Sequence, residues 1–131
     1  MLSETIQAIV NYRLSQAHEC IDSAIREKNA RAYKSVANRS YYCIFHAMRA
    51  VLVVERFDSK KHSGIISAFT HRYIKTGAFP KEFSKIISDA FDVRGDSDYE
   101  DFYAIQKDEI IKQIGNATVF LSAVETYIRT L

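Results

Sequence analysis

The sequence predicts an all-α fold: one up-and-down helical bundle made from five helical segments. Three observations carry that prediction. Apolar residues recur at intervals of three and four along most of the 131 residues. One proline and four glycines are too few for the many turns of a β-rich chain. The stretches between periodic segments are short, which favours antiparallel neighbours. A chain of this length forms a single domain, residues 1–131, and buries roughly two-thirds of its unfolded surface without a metal or disulfide staple.

Each element has its own signal. The first helix runs from about Ser3, a good N-cap, to Lys28, with Ile6, Ile9, Val10, Ala17, Ile21, Ala24 and Ile25 in one stripe. Asn29 breaks it and can cap the second helix, residues 30–56. Beyond Tyr41 that helix is apolar almost all round, so it is expected at the centre of the bundle. Asp58-Ser59 starts the third, with Ile65, Ile66, Phe69 and Tyr73 inward and Gly77 as its C-cap. Pro80 opens the fourth, whose stripe is Phe83, Ile86, Ile87, Ala90 and Phe91, and Gly95 ends it. After an acidic connection the fifth runs from about Lys107 to Thr130.

Composition excludes several classes. A net charge of +2 is too small for bulk coating of nucleic acid, and nothing signals DNA in particular. Its distribution says more: residues 60–85 hold six Lys/Arg against Glu82, and residues 89–109 hold eight acids against Arg94 and Lys107. Such polarity suits a steered partner or a self-complementary dimer, or simply two solvated faces. Cys20 and Cys43 have no framework spacing and read as reduced and packed. The N-terminus lacks the basic region and apolar run of a signal peptide, and Ala50–Val54 is far too short to cross a bilayer. These features place the chain in the cytoplasm.

Metal and triad chemistry find little support. No two histidines sit at helical spacing, and Asp96-x-Asp98-x-Glu100 lacks the later Gly and Glu of a calcium loop. No cofactor is implied. The most informative stretch is Arg94-Gly95-Asp96-Ser97-Asp98-Tyr99. It puts a phosphate-matching guanidinium at a helix end, with a phenol five residues later and carboxylates around both. Lys61-His62-Ser63-Gly64 sits at a helix start, where free N–H groups attract anions and a glycine permits close approach. A solvated first turn explains it equally well. On the second helix Asn38, Tyr42 and His46 share one face, as an internal polar network or as part of a site. Arg39 beside them wants a carboxylate or a phosphate, and Asp92, Asp96 or Asp98 are the acids within reach of such a pairing.

Taken together, Asn38-Arg39-Ser40-Tyr41-Tyr42-x-x-Phe45-His46, Lys61-His62-Ser63-Gly64 and Phe91-Asp92-x-Arg94-x-x-x-Asp98-Tyr99 resemble the HEPN domain family over nearly the whole chain. The resemblance implies four long helices plus a shorter one, a homodimer, prokaryotic origin and pairing with a small nucleotidyltransferase in toxin–antitoxin or defence modules. Many members are metal-independent RNases in which an Arg holds the scissile phosphate and a His shortly after it moves a proton. Arg94 matches the Arg, and Tyr99 stands where the His would. A phenol with an ordinary pKa of about 10 is a poor general base at neutral pH. The expected function is therefore nucleotide or RNA-phosphate binding by Arg94, Tyr99, Arg39, Asn38, Tyr42, Lys61, His62 and Ser63. The alternatives are an endoribonuclease toxin using Arg94 with Tyr99 or a distant His, and a purely structural bundle with both arginines paired internally.

Overall fold

The computed structural model describes residues 2–99 and 104–131, Tyr99 by its backbone alone. The chain is all-α: α1 (Glu4–Asn29), α2 (Tyr33–Leu52), α3 (His62–Phe69), α4 (Glu82–Tyr99) and α5 (Lys107–Arg129), four long helices and a short third. Ser3 caps α1 as its sequence position implies, its Oγ accepting from Ile6 N at 3.2 Å. Helix α2 is the hub and packs against all four others. From Ser40 to Val53 it buries every residue except Tyr42, His46 and Arg49. Those three exceptions point to the site described below.

Several boundaries differ from expectation, each for a local reason. Asn29 does not cap α2. It is the last residue of α1, and the chain turns through Arg31 at a left-handed φ of 62° to Ala32, which caps α2 without a side-chain bond. Helix α2 stops at Leu52, four residues early, because a 3₁₀ turn over Val53–Glu55 leads to Arg56, also left-handed at φ 60°. Helix α3 begins at His62 rather than at Asp58-Ser59. Asp58 is drawn away by Arg13 and Arg49, while Ser59 Oγ accepts from Lys61 N. Beyond Phe69 the α3 path widens into a π-turn over Thr70–Ile74 and leaves through Gly77, whose φ of 86° suits a residue without Cβ.

The largest correction concerns α4. It does not end at Gly95 but continues to Tyr99, so Arg94 lies inside a helix and Gly95 strains nothing. An internal glycine costs only about 1 kcal/mol relative to alanine. Burial of Val93 and Ser97 on the same face, with Ser97 Oγ donating to Val93 O at 2.7 Å, offsets that cost. Two residues assigned to inward stripes face out: Ile25 and Phe91 are 45% and 42% exposed. Both sit at the edge of a stripe whose centre, Ala24 and Ala90, is buried. Cys20 and Cys43 are buried and unpaired, as expected.

Candidate functional site

The site forms where α2, α3 and α4 meet. Tyr41 is fully buried on α2, and its phenol finds a partner in His62, the first residue of α3: hydroxyl to Nδ1 is 2.8 Å. Burial pushes the Tyr41 hydroxyl up to about 12, with Tyr42 adding to it and Arg94 opposing, so the hydroxyl stays protonated. His62 moves the other way. Burial, then the charges of Arg94 and Arg49, lower it from its ordinary value, so the ring is neutral at pH 7. The pair forms either way, the hydroxyl donating to Nδ1 or Nδ1–H donating to the phenol oxygen, and the second arrangement leaves Nε2 free to accept a proton. The imidazole is walled by aromatic rings, with the Phe45 centroid at 4.2 Å and Tyr41 at 5.7 Å.

Helix α4 brings Arg94 to the same tyrosines. Its Cζ lies 5.5 Å from the Tyr41 ring centroid and 5.6 Å from that of Tyr42. Its Nε is 3.0 Å from Asp98 Oδ2, one helical turn on, yet the N–H does not point at the oxygen. The contact is an electrostatic pairing rather than a clamp, and the Arg94 side chain remains 19% exposed. Arg39 approaches from α2, its Cζ 5.5 Å from the Tyr42 centroid. Asn38 Oδ1 accepts from its Nε and Nη2, and Cys20 Sγ lies 3.8 Å from Nη1. Among the described residues Arg39 has no carboxylate partner, contrary to the pairing with Asp92, Asp96 or Asp98 that was open. Beside it a cavity of about 360 Å³ is lined by Asn38, Arg39 and Asp98 together with Lys34, Ser35 and Glu27.

Of the eight residues singled out in the sequence, Asn38, Arg39, Tyr42, His62 and Arg94 come together. Lys61 does not join them; it is exposed and caps α3 through its backbone position. Ser63 faces a different cavity, an apolar one of about 370 Å³ between α3 and α4 that Ile66, Ile87 and Phe91 line. The Tyr99 side chain lies outside the described residues. Gly64 serves the fold rather than a ligand: a Cβ there would stand 2.4 Å from Ser59 Oγ. Asn38, Tyr42 and His46 do share a face, but all three are half-buried, with Asn38 and His46 lining cavities, rather than locked in an internal network. Sequence reasoning did not single out Tyr41 as a site residue, although it stands inside the Asn38–His46 motif. Its hydroxyl in an apolar run was the available signal, because a buried phenol needs a partner.

The arrangement can hold an anion on two guanidiniums from different helices and present a neutral imidazole against the same tyrosines. Among the described residues no group of three or more His, Cys, Asp or Glu side chains is placed to hold a metal ion. No helix among them is long and apolar enough to cross a membrane.

The HEPN domain model matches residues 10–127, and the chain belongs to that family. It is similar to a UPF0332 protein of Thermotoga maritima, 33% identical over 95% of each chain. It also resembles a UPF0332 protein of Archaeoglobus fulgidus, 32% identical over 83% of this chain and 86% of the other. A protein of Methanocaldococcus jannaschii named "Putative toxin MJ0142" is 26% identical over 88% of this chain and 78% of its own length.

Proposed function

We propose that this HEPN module binds RNA phosphate between Arg39 and Arg94 and acts as the toxin-like half of a two-component system. The observation that carries the reading is the convergence of two guanidiniums on Tyr42 from α2 and α4, Arg39 without a carboxylate partner among the described residues. Guanidinium forks match phosphate oxygens bidentately, and a phosphate between them replaces the missing counter-charge. The relatives named as toxins support the system assignment. In this reading the module is a homodimer and works with a nucleotidyltransferase partner, for which the opposed charge of segments 60–85 and 89–109 offers a basis. The test is the affinity of a short single-stranded RNA for the wild type, Arg39→Ala and Arg94→Ala. Each substitution is expected to weaken binding tenfold or more; equal affinity in all three, or none in any, removes the proposal.

One observation favours a second reading, cleavage of the bound RNA. His62 is held neutral beside Arg94, which suits it to accept a proton at pH 7. In that step Nδ1–H of His62 donates to the Tyr41 oxygen, Nε2 takes the proton of a ribose 2′-hydroxyl, the 2′-oxygen bonds to phosphorus, and the 5′-oxygen leaves with a proton from solvent. RNA incubated with the protein in EDTA would then acquire 2′,3′-cyclic phosphate ends, lost in His62→Gln. RNA that stays intact at high protein concentration leaves binding as the function.

A further inference from the structure

We propose that the groove between α1 and α2 around His46 carries the same RNA strand onward from Arg39, with Tyr12 stacking a base and Arg13 and Arg49 meeting the next phosphate. This rests on the phosphate-binding reading above and extends it from a single contact to a track.

The track is continuous in the structure. Arg94 and Arg39 share the Tyr42 ring, and the His46 ring follows at 6.1 Å from Tyr42. Arg39 and His46 line one cavity of about 380 Å³. His46 then lines the next, about 510 Å³, with Tyr12, Arg13 and Arg49. Residues 39 to 49 span about 15 Å of helix at 1.5 Å per residue, more than a mononucleotide's single phosphate can occupy.

Charge along the track is unevenly compensated. In the middle cavity Glu19 and Asp22 line the walls with Arg26 and Arg39, and neither acid is within ion-pair distance of Arg39. At the far end Arg13 and Arg49 share one carboxylate, Asp58, which accepts from Arg13 Nη2 at 3.2 Å and from Arg49 Nη2 at 2.9 Å. Arg13 Nη1 also donates to Arg49 O, so both guanidiniums are held in place with one positive charge left over. His46 registers that surplus. Burial first, then Arg49, Arg39 and Arg13, push it down to about 4.

Tyr12 supplies what phosphate contacts alone do not. It is 64% exposed on the cavity rim, a large aromatic surface that no fold contact explains. An exposed ring beside paired guanidiniums is the combination that holds single strands, bases on the ring and backbone on the cations.

The experiment compares fluorescein-labelled diuridylate and octauridylate binding to the wild type, Tyr12→Ala and Arg49→Gln. Tyr12 is exposed, so its substitution leaves folding intact. The octamer is expected to bind at least tenfold tighter than the dimer, with a steeper loss of affinity in salt. Tyr12→Ala is expected to weaken the octamer about fivefold or more and to leave the dimer unchanged. Arg49→Gln should flatten the octamer's salt dependence. Equal affinity of the two lengths, or an octamer indifferent to Tyr12, overturns the track while dimer binding leaves the Arg39–Arg94 site standing. If poly-glutamate binds with the same dependence on Tyr12, the groove belongs to acidic peptides and the proposal fails. Absence of all RNA binding sinks both.

Discussion

Two aromatic clusters sit in this bundle, and their contrast separates scaffold from site. One gathers Phe69, Tyr73, Phe79, Phe83, Phe120 and Tyr127, with ring centroids 5.0 to 6.5 Å apart. Among the described residues no guanidinium lies over any of these rings. The other gathers Tyr41, Tyr42, Phe45 and Phe91 around His46 and His62, and carries Arg39, Arg49 and Arg94 on its ring faces. Both clusters use the same ring chemistry. The first spends it on excluding water between α3, α4 and α5, the second on holding cations half out of water. An aromatic stripe is therefore core where no cation sits on its ring faces, and site where cations do.

That contrast predicts separable effects. Phe120 is fully buried at the centre of the dry cluster, so Phe120→Ala is expected to cost about 3–5 kcal/mol and lower Tm by about 10–20 °C. RNA affinity of the fraction that remains folded should be unchanged. A large loss of affinity in that fraction would dissolve the distinction between the clusters.

The charged cluster should show itself in pH. His46 is lowered on folding to about 4, so between that value and about 6.5 the unfolded chain binds the extra proton. Stability is then full above 6.5 and falls as pH drops through this window. With the ring only partly buried, solvent screening reduces the effect to about 1–2 kcal/mol at pH 4. Urea denaturation of His46→Gln should show a flatter pH profile, with His62, lowered in the same direction, keeping part of the slope. Equal slopes in both proteins would place His46 in ordinary solvent.

The smallest effect belongs to Tyr41→Phe. It deletes one hydrogen bond, to His62, and keeps the ring faces for Arg94. Stability should fall by about 1 kcal/mol, and RNA binding should persist. A loss nearer that of Phe120→Ala would mean the hydroxyl anchors more than His62.

The fold was legible because burial writes itself into periodicity. All five helices and the central place of α2 follow from patterns in the chain, whereas the third helix, read from Asp58-Ser59 to Gly77, proved shorter. Boundaries were less legible where tertiary partners overrode local signals. Asp58 looks like a cap for α3 and instead bridges Arg13 and Arg49 from two other helices. Gly95 looks like a stop, yet packing of Val93 and Ser97 carries α4 past it. The site was half legible. Arg39, Arg94, Tyr42 and His62 could be named from residue type and motif, but nothing in the spacing tells that Tyr41 joins His62 to Arg94. Of the Arg13–Arg49–His46 corner only His46 was legible, since Arg13 and Arg49 lie 36 positions apart and no local pattern links them.

The most direct test of the account is the titration of His62 by NMR in the wild type and in Arg94→Ala. If Arg94 and His62 form one site around Tyr41, the wild-type imidazole titrates below its ordinary value of about 6.5 and moves upward when the guanidinium is removed. A His62 that titrates identically in both proteins would contradict it.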